Sequence, residues 1–234
     1  MELIWGSHSV LQALKNPKRK NIKLLCTQSH FKKFEFIIRK SLVKYSIASN
    51  QEISKISGDN THKGMILYTQ QLSYCKSPIC DHVLQENINN IIVMDHIQDV
   101  QNIGAIIRTM VALKFRSLLI TKDGVPNLDK SIAKNACGAI EYLHVQKVTN
   151  LSMALKELKK HGYWITSLSG DFENSYIAQE KNVLVVGSEG FGIRPLVQQQ
   201  CDMNLKIETS KEFNVLNASV AAAIGMYTIN SLNR

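Results

Sequence analysis

The sequence predicts an α/β protein in which a parallel sheet covered by helices follows a small α+β unit. Short, nearly continuous apolar runs such as Ile91-Ile92-Val93-Met94 recur from Asn90 onward, as strands buried on both faces do. Amphipathic segments of helical period separate them. The charge is also uneven: residues 1–72 hold 12 Lys and Arg against 4 Asp and Glu, an excess of +8 out of a total of +9.

In the first third, Ser7 is placed to cap a short helix carrying Val10, Leu11 and Leu14. Ile22–Cys26 reads as a strand. Phe31, Phe34, Ile38 and Leu42 recur at helical spacing through a segment that also bears Lys32, Lys33, Arg39, Lys40 and Lys44. The turn-like His62-Lys63-Gly64 precedes a strand at Met65–Thr69, and Ser77-Pro78 suits the opening of a short helix in a connecting stretch. The boundaries that follow are a first domain over 1–74, a linker over 75–89 and a second domain over 90–234.

In the second domain the strand candidates are Ile91–Asp95, Ser117–Thr121, Leu143–Val148, Tyr163–Leu168, Val183–Gly187 and Leu205–Ile207. One helix enters at Asn102, with Ile103, Ile106, Ile107 and Met110 forming its apolar stripe. Another is capped by Asn150 and stops at Gly162, a third starts at Pro195, and Ala218–Leu232 forms a last one.

Composition removes several classes. With 234 residues, 44% hydrophobic and 20% charged, the chain is neither disordered nor a fibrous repeat. No segment reads as a secretory signal and no apolar run is long enough to span a bilayer, so the expectation is a cytoplasmic protein. The five cysteines contain no CxxC pair and the seven histidines no pair at ligand spacing. No metal site is expected, and the thiols read as reduced. Clustered Lys and Arg point to a nucleic-acid partner, against the plainer reading of a solvated lysine-rich face.

Ligands of parallel α/β sheets bind where strands give way to helices, because free backbone N–H groups converge there. Two such junctions are polar. Asp95 to Thr109 leaves a buried strand and contains Asn102, Gly104 and Arg108, the last lying off the apolar stripe. Gly187-Ser188-Glu189-Gly190-Phe191-Gly192 follows another strand. Two facts count against a dinucleotide reading of these glycines, which stays a distant alternative: their order is GxxGxG, and only 47 residues follow Gly187. A third polar segment, Leu216-Asn217-Ala218-Ser219, opens the Ala-rich terminal helix.

In this order, the three segments resemble the signature motifs of the SpoU family of RNA 2′-O-ribose methyltransferases, within the SPOUT superfamily. The residues that fill the motifs are Asn102, Gly104, Arg108 and Thr109; then Gly187, Glu189, Gly190 and Gly192; then Leu216, Asn217, Ser219 and Ala221. The segments 133–141 and 148–151 are similar to the branch that methylates guanosine in bacterial 23S rRNA. Residues 4–14 and His62-Lys63-Gly64 are similar to that branch's L30-like RNA-binding domain. Two positions depart from the pattern: Asn214-Val215 stands where two serines are usual, and Ala218 where valine is.

The resemblance implies S-adenosylmethionine as cofactor, a C-terminal trefoil knot and a homodimer. It implies a cofactor held at Gly187, Ile207 and Leu216, with Arg108, Asn102, Glu189, Asn217 and Ser219 as catalytic residues. The implied substrate is a guanosine ribose in 23S rRNA, with tRNA or another rRNA nucleotide as the alternative. An RNA-binding ribosome-assembly protein that has lost catalysis is the reading from a different class.

Overall fold

The computed structural model describes residues 1–72, 83, 85–86, 88–126, 130–169, 176–212 and 214–232. The Ser77-Pro78 helix start, Cys75 and Cys80 lie outside them. Two compact units are present. The first comprises Met1–Ser73 and Leu128–Tyr142, and the second Tyr74–Asn127 and Leu143–Arg234.

The first unit is a four-stranded sheet in the order β1-β4-β2-β3, formed by β1 (Glu2–Trp5), β2 (Asn21–Cys26), β3 (Lys44–Ile47) and β4 (Met65–Thr69). β4 runs antiparallel to β1 and β2, while β3 is a parallel edge strand beside β2. Helices α1 (Ser7–Lys15), α2 (Gln28–Lys40) and α3 (Asn50–Ser57) connect the strands. Three expectations change here. Ser7 is the first helical residue rather than the cap, which is Gly6 with φ 94° and no capping side chain. Phe34 interrupts α2 with φ −120° and ψ 17°, so the apolar period is broken there and Ile38 alone is fully buried. Leu42 lies beyond the helix in the left-handed region at φ 57° and is 90% exposed, not in the core.

Leu128–Tyr142, assigned to the second domain by the sequence boundary, belongs to this first unit. It carries α5 (Lys130–Asn135) and a 3₁₀ turn at Ala139–Tyr142. Polar contacts explain the difference. Ser9 Oγ donates to the Ala133 carbonyl at 3.0 Å, and Asn16 Nδ2 to Glu141 Oε2 at 2.8 Å. Arg19, buried, pairs with Glu2 at 2.9 Å and with Glu141 at 3.6 Å. Gly138 passes so near α1 that a Cβ would stand 2.9 Å from Gln12 Cβ.

The second unit is an all-parallel six-stranded sheet, β10-β8-β9-β5-β6-β7. Its strands are β5 (Asn90–Asp95), β6 (Ser117–Thr121), β7 (His144–Val148), β8 (Trp164–Leu168), β9 (Asn182–Gly187) and β10 (Met203–Leu205). The last was expected two residues later. Asn204 fixes the observed register by receiving a bond from Ser167 Oγ at 3.1 Å and donating to the Ser169 carbonyl at 3.0 Å. Helix α4 (Val100–Ala112) follows β5 and is capped by Asp99, so it begins before Asn102. Helix α6 (Leu151–Lys160) is capped by the Asn150 side chain, α7 (Pro195–Gln198) starts on proline, and α8 (Ala218–Leu232) packs on α4 and the sheet. A Cβ at Gly225 would meet Leu184 and Leu168 at 3.1 and 3.2 Å, so the glycine permits close approach of α8 to the sheet.

The candidate active site

The central strands β5 and β9 are adjacent and in register, with Asp95 opposite Gly187 at their C-terminal ends. From β9 the chain turns sharply: Ser188 and Gly192 exchange backbone hydrogen bonds of 3.0 and 2.9 Å. The returning strand crosses directly over Gly187. A Cβ there would sit 2.3 Å from the Gly192 carbonyl carbon and 2.5 Å from the Ile193 nitrogen, so no other residue fits without backbone movement.

The far end of that loop is fixed by charge. Asp95, fully buried, accepts from the Arg194 backbone N–H at 2.8 Å and from its Nε at 2.8 Å, while the second guanidinium nitrogen lies 2.7 Å away. This paired arrangement offsets the desolvation of the carboxylate. The sequence reading gave neither residue a role. The available signal was a carboxylate closing the apolar run Ile91–Met94, a position that is buried whatever it binds.

Between those anchors Glu189 meets the other two polar segments. Its Oε1 accepts from Asn102 Nδ2 at 2.5 Å, from Asn217 Nδ2 at 3.0 Å and from the Ala218 N–H at 3.4 Å. Asn217 Nδ2 also donates to Asn102 Oδ1 at 2.9 Å. The other end of the Asn217 amide caps α8: Oδ1 accepts from Ser219 N–H at 2.9 Å and from Ser219 Oγ at 2.6 Å. Asn102, Glu189, Asn217 and Ser219 therefore form one continuous network that joins the first turn of α4, the loop after β9 and the start of α8, and each amide has its orientation fixed by its partners.

The remaining candidates are placed differently. Arg108 is exposed on α4, six residues beyond Asn102, which is about 9 Å along the helix and about 120° around it. It is not among the groups bonded to Glu189. Leu216 immediately precedes the network and is 37% exposed, and Ile207 is half-buried just past β10. Gly187 lies under the loop as described. Burial pushes the Cys201 thiol up to about 12, so the second unit's described cysteine at β10 offers no thiolate at neutral pH. Among the described residues no group of His, Cys, Asp and Glu is arranged to hold a metal, and no helix is long and apolar enough to cross a membrane.

Fold and site together define a class: a parallel α/β protein whose polar loops gather at the carboxyl ends of the two central strands. The chain belongs to the SpoU rRNA methylase family, whose model matches residues 89–227; residues 3–75 match the RNA 2′-O ribose methyltransferase substrate-binding model. A protein of Staphylococcus saprophyticus bearing the name of a TrmH family tRNA/rRNA methyltransferase is 30% identical over 97% of this chain and 94% of its own length. One of the same name from Staphylococcus haemolyticus is 36% identical, over 62% of this chain and 59% of that protein. The fold matches the SpoU methyltransferase AviRb from Streptomyces viridochromogenes, solved in complex with the cofactor AdoMet. The TM-score is 0.78 at 14% identity, covering 98% of this chain and 89% of that one.

Proposed function

We propose that the protein transfers a methyl group from S-adenosylmethionine to a ribose 2′-OH of RNA, with a guanosine of 23S rRNA as the target. The observation that carries the reading is the Asn102–Glu189–Asn217 triangle, which joins the first turn of α4, the loop after Gly187 and the segment that opens α8. The cradle fits the cofactor: Gly187, lacking a Cβ, lets the Gly192–Ile193 backbone close directly over it and shape the turn, while Ile207 just after β10 and Leu216 just before α8 offer apolar surface. When bound, the cofactor's sulfonium supplies an electrophilic methyl. Everything else falls to the chain's own groups, which must align the hydroxyl and share its proton.

Asn102, Asn217 and Ser219 hold the ribose side of the pocket; Glu189 holds the two amides, and Asn217 in turn holds Ser219. Arg108 clamps the neighbouring phosphate and stabilises developing negative charge on the 2′-oxygen. A guanidinium keeps its proton in proteins, so the proton leaves to phosphate, water or a carboxylate instead. The reading includes a trefoil knot through the second unit, a cytoplasmic location and a homodimer that supplies Arg108 across its interface. Support for the dimer comes from α8, which carries no charged residue and exposes Val220, Ile224 and Tyr227 at i, i+4 and i+7. The basic first unit grips RNA through its excess of +8.

The test is transfer of tritiated methyl groups to 23S, 16S and tRNA transcripts, followed by mapping of the alkali-resistant ribose. Label at a 23S guanosine is expected. Label only in tRNA or 16S RNA moves the target and keeps the chemistry, while no label together with no S-adenosylmethionine binding in calorimetry ends the proposal.

A further inference from the structure

We propose that α2 and the free edge of β3 form a binding face for single-stranded RNA, with Phe36 as an exposed platform on which a base stacks and Lys32, Lys33 and Lys40 as its phosphate contacts. The proposal rests on the reading of the protein as an RNA-modifying enzyme and specifies where on the first unit the RNA lies.

Residues 28–45 hold Lys32, Lys33, Arg39, Lys40 and Lys44 against Glu35 alone, a local excess of +4. Lys32, Lys33, Phe36 and Lys40 are all exposed on α2. Phe36 is 77% exposed although it is flanked by side chains that solvent suits far better. The Lys40 ammonium lies 6.0 Å from its ring centre. Behind it, Arg39 stands 5.8 Å over Phe31, whose ring stacks on Tyr45 of β3 at 4.8 Å. Two aromatic–basic groups thus lie on α2: Phe36 with Lys40 on its exposed side, and Arg39 with Phe31 reaching Tyr45 at the sheet edge. Leu42, 90% exposed and held at φ 57°, adds apolar surface just past the helix.

Around the same edge, Lys23 of β2 and Lys44 of β3 are register partners and both exposed. Like charges in neighbouring positions of a sheet repel, and a polyanion relieves them. Basic groups interleaved with exposed aromatic faces suit unpaired nucleotides, because every base has a face to stack while duplex bases are already stacked. Lysines on an edge strand also discourage strand pairing between molecules. That simpler role requires neither Phe36 nor the α2 lysines.

The experiment uses the full chain, a fluorescein-labelled single-stranded oligoribonucleotide and a duplex RNA of equal length. Anisotropy across a salt series is compared for wild type, Phe36→Ala, the triple Lys32/Lys33/Lys40→Gln and a control triple Lys15/Lys18/Lys20→Gln of equal charge, with melting curves recorded for each. The first triple is expected to weaken single-strand binding more than about tenfold and to reduce the salt slope by about 2. Phe36→Ala is expected to weaken it about fivefold or more at an unchanged slope. Equal losses in the two triples, or an unchanged affinity in Phe36→Ala, overturns the face while leaving the enzyme assignment standing. A wild-type protein that binds neither RNA overturns both.

Discussion

Asn102 and Asn217 stand 115 residues apart in the chain and share a 2.9 Å hydrogen bond, with the Glu189 carboxylate accepting from both. Removing the carboxylate strands two amide donors at once. Glu189→Ala is expected to lower stability by about 1–3 kcal/mol and methyl transfer by about 100-fold, the scale of loss when reacting groups shift by an ångström. Glu189→Gln keeps a carbonyl oxygen at the same place and is expected to recover stability and to stay within about tenfold of wild type. Melting curves and single-turnover assays on the two variants check this. Equal damage from both would show that the negative charge, not the acceptor geometry, is what the network uses.

Gly187 makes a sharper steric prediction. Because its absent Cβ would overlap Gly192 and Ile193 backbone at 2.3–2.5 Å, Gly187→Ala must displace the loop that carries Glu189. A cost of about 1–3 kcal/mol is expected from overpacking, together with a loss of S-adenosylmethionine affinity of at least about tenfold, since the cradle and loop move together. Thermal melting and calorimetry measure the two separately. Gly225→Ala serves as a comparison: it meets only side-chain methyls at 3.1 Å and beyond, so it is expected to cost less and to leave cofactor affinity intact.

Much of this fold was legible locally. The stripe Ile103, Ile106, Ile107 and Met110 is buried as its period requires, and α8 spans the expected Ala218–Leu232. What escaped was short, exposed or distant. β1 and β3 are four residues each, and the latter is an exposed edge strand whose alternation, Lys44-Tyr45-Ser46-Ile47, runs for only two periods. α3 did carry a signal, the Ser49-x-x-Glu52 capping box, in which Glu52 reaches back to the Ser49 N–H at 2.7 Å. The membership of 128–142 in the first unit depends on buried pairs such as Arg19 with Glu141, which no local spacing encodes. The convergence at Glu189 is likewise a property of strand order: β5 and β9 are neighbours only because the chain crosses over between them.

Acid should test the first unit's long-range joint at Asp59. The Lys134 ammonium at 2.8 Å and the Thr61 hydroxyl and N–H hold its carboxyl well below the ordinary value of 3.8, and Trp5 Nε1 donates to it at 3.0 Å. A depressed carboxylate contributes stability above its unfolded value and loses it as pH falls through the folded one. Wild type is therefore expected to exceed Asp59→Asn in stability by a constant margin from pH 5 to 8. The margin should shrink steadily below about pH 4. Urea titrations at stepped pH, read by tryptophan fluorescence, give the curve; a gap that widens in acid would contradict the pairing.

Arg108 provides the most discriminating substitution, because lysine preserves its charge and loses its fork. If the residue clamps a phosphate and steadies the 2′-oxygen with two parallel N–H groups, a single ammonium cannot do both. Arg108→Lys is then expected to bind S-adenosylmethionine within about twofold of wild type while turnover falls by about 100- to 1,000-fold, the range seen when a donor to developing charge is removed. Arg108 is exposed on α4, off the buried stripe, and melting curves recorded beside the turnover assay separate a loss of catalysis from a loss of stability. The pH profile distinguishes the clamp from a base. A clamp lowers the whole profile without moving its limbs, whereas a base exchanged for a lysine shifts the alkaline-favoured limb toward lower pH. Near-normal turnover of Arg108→Lys at neutral pH would remove the bidentate guanidinium from the mechanism.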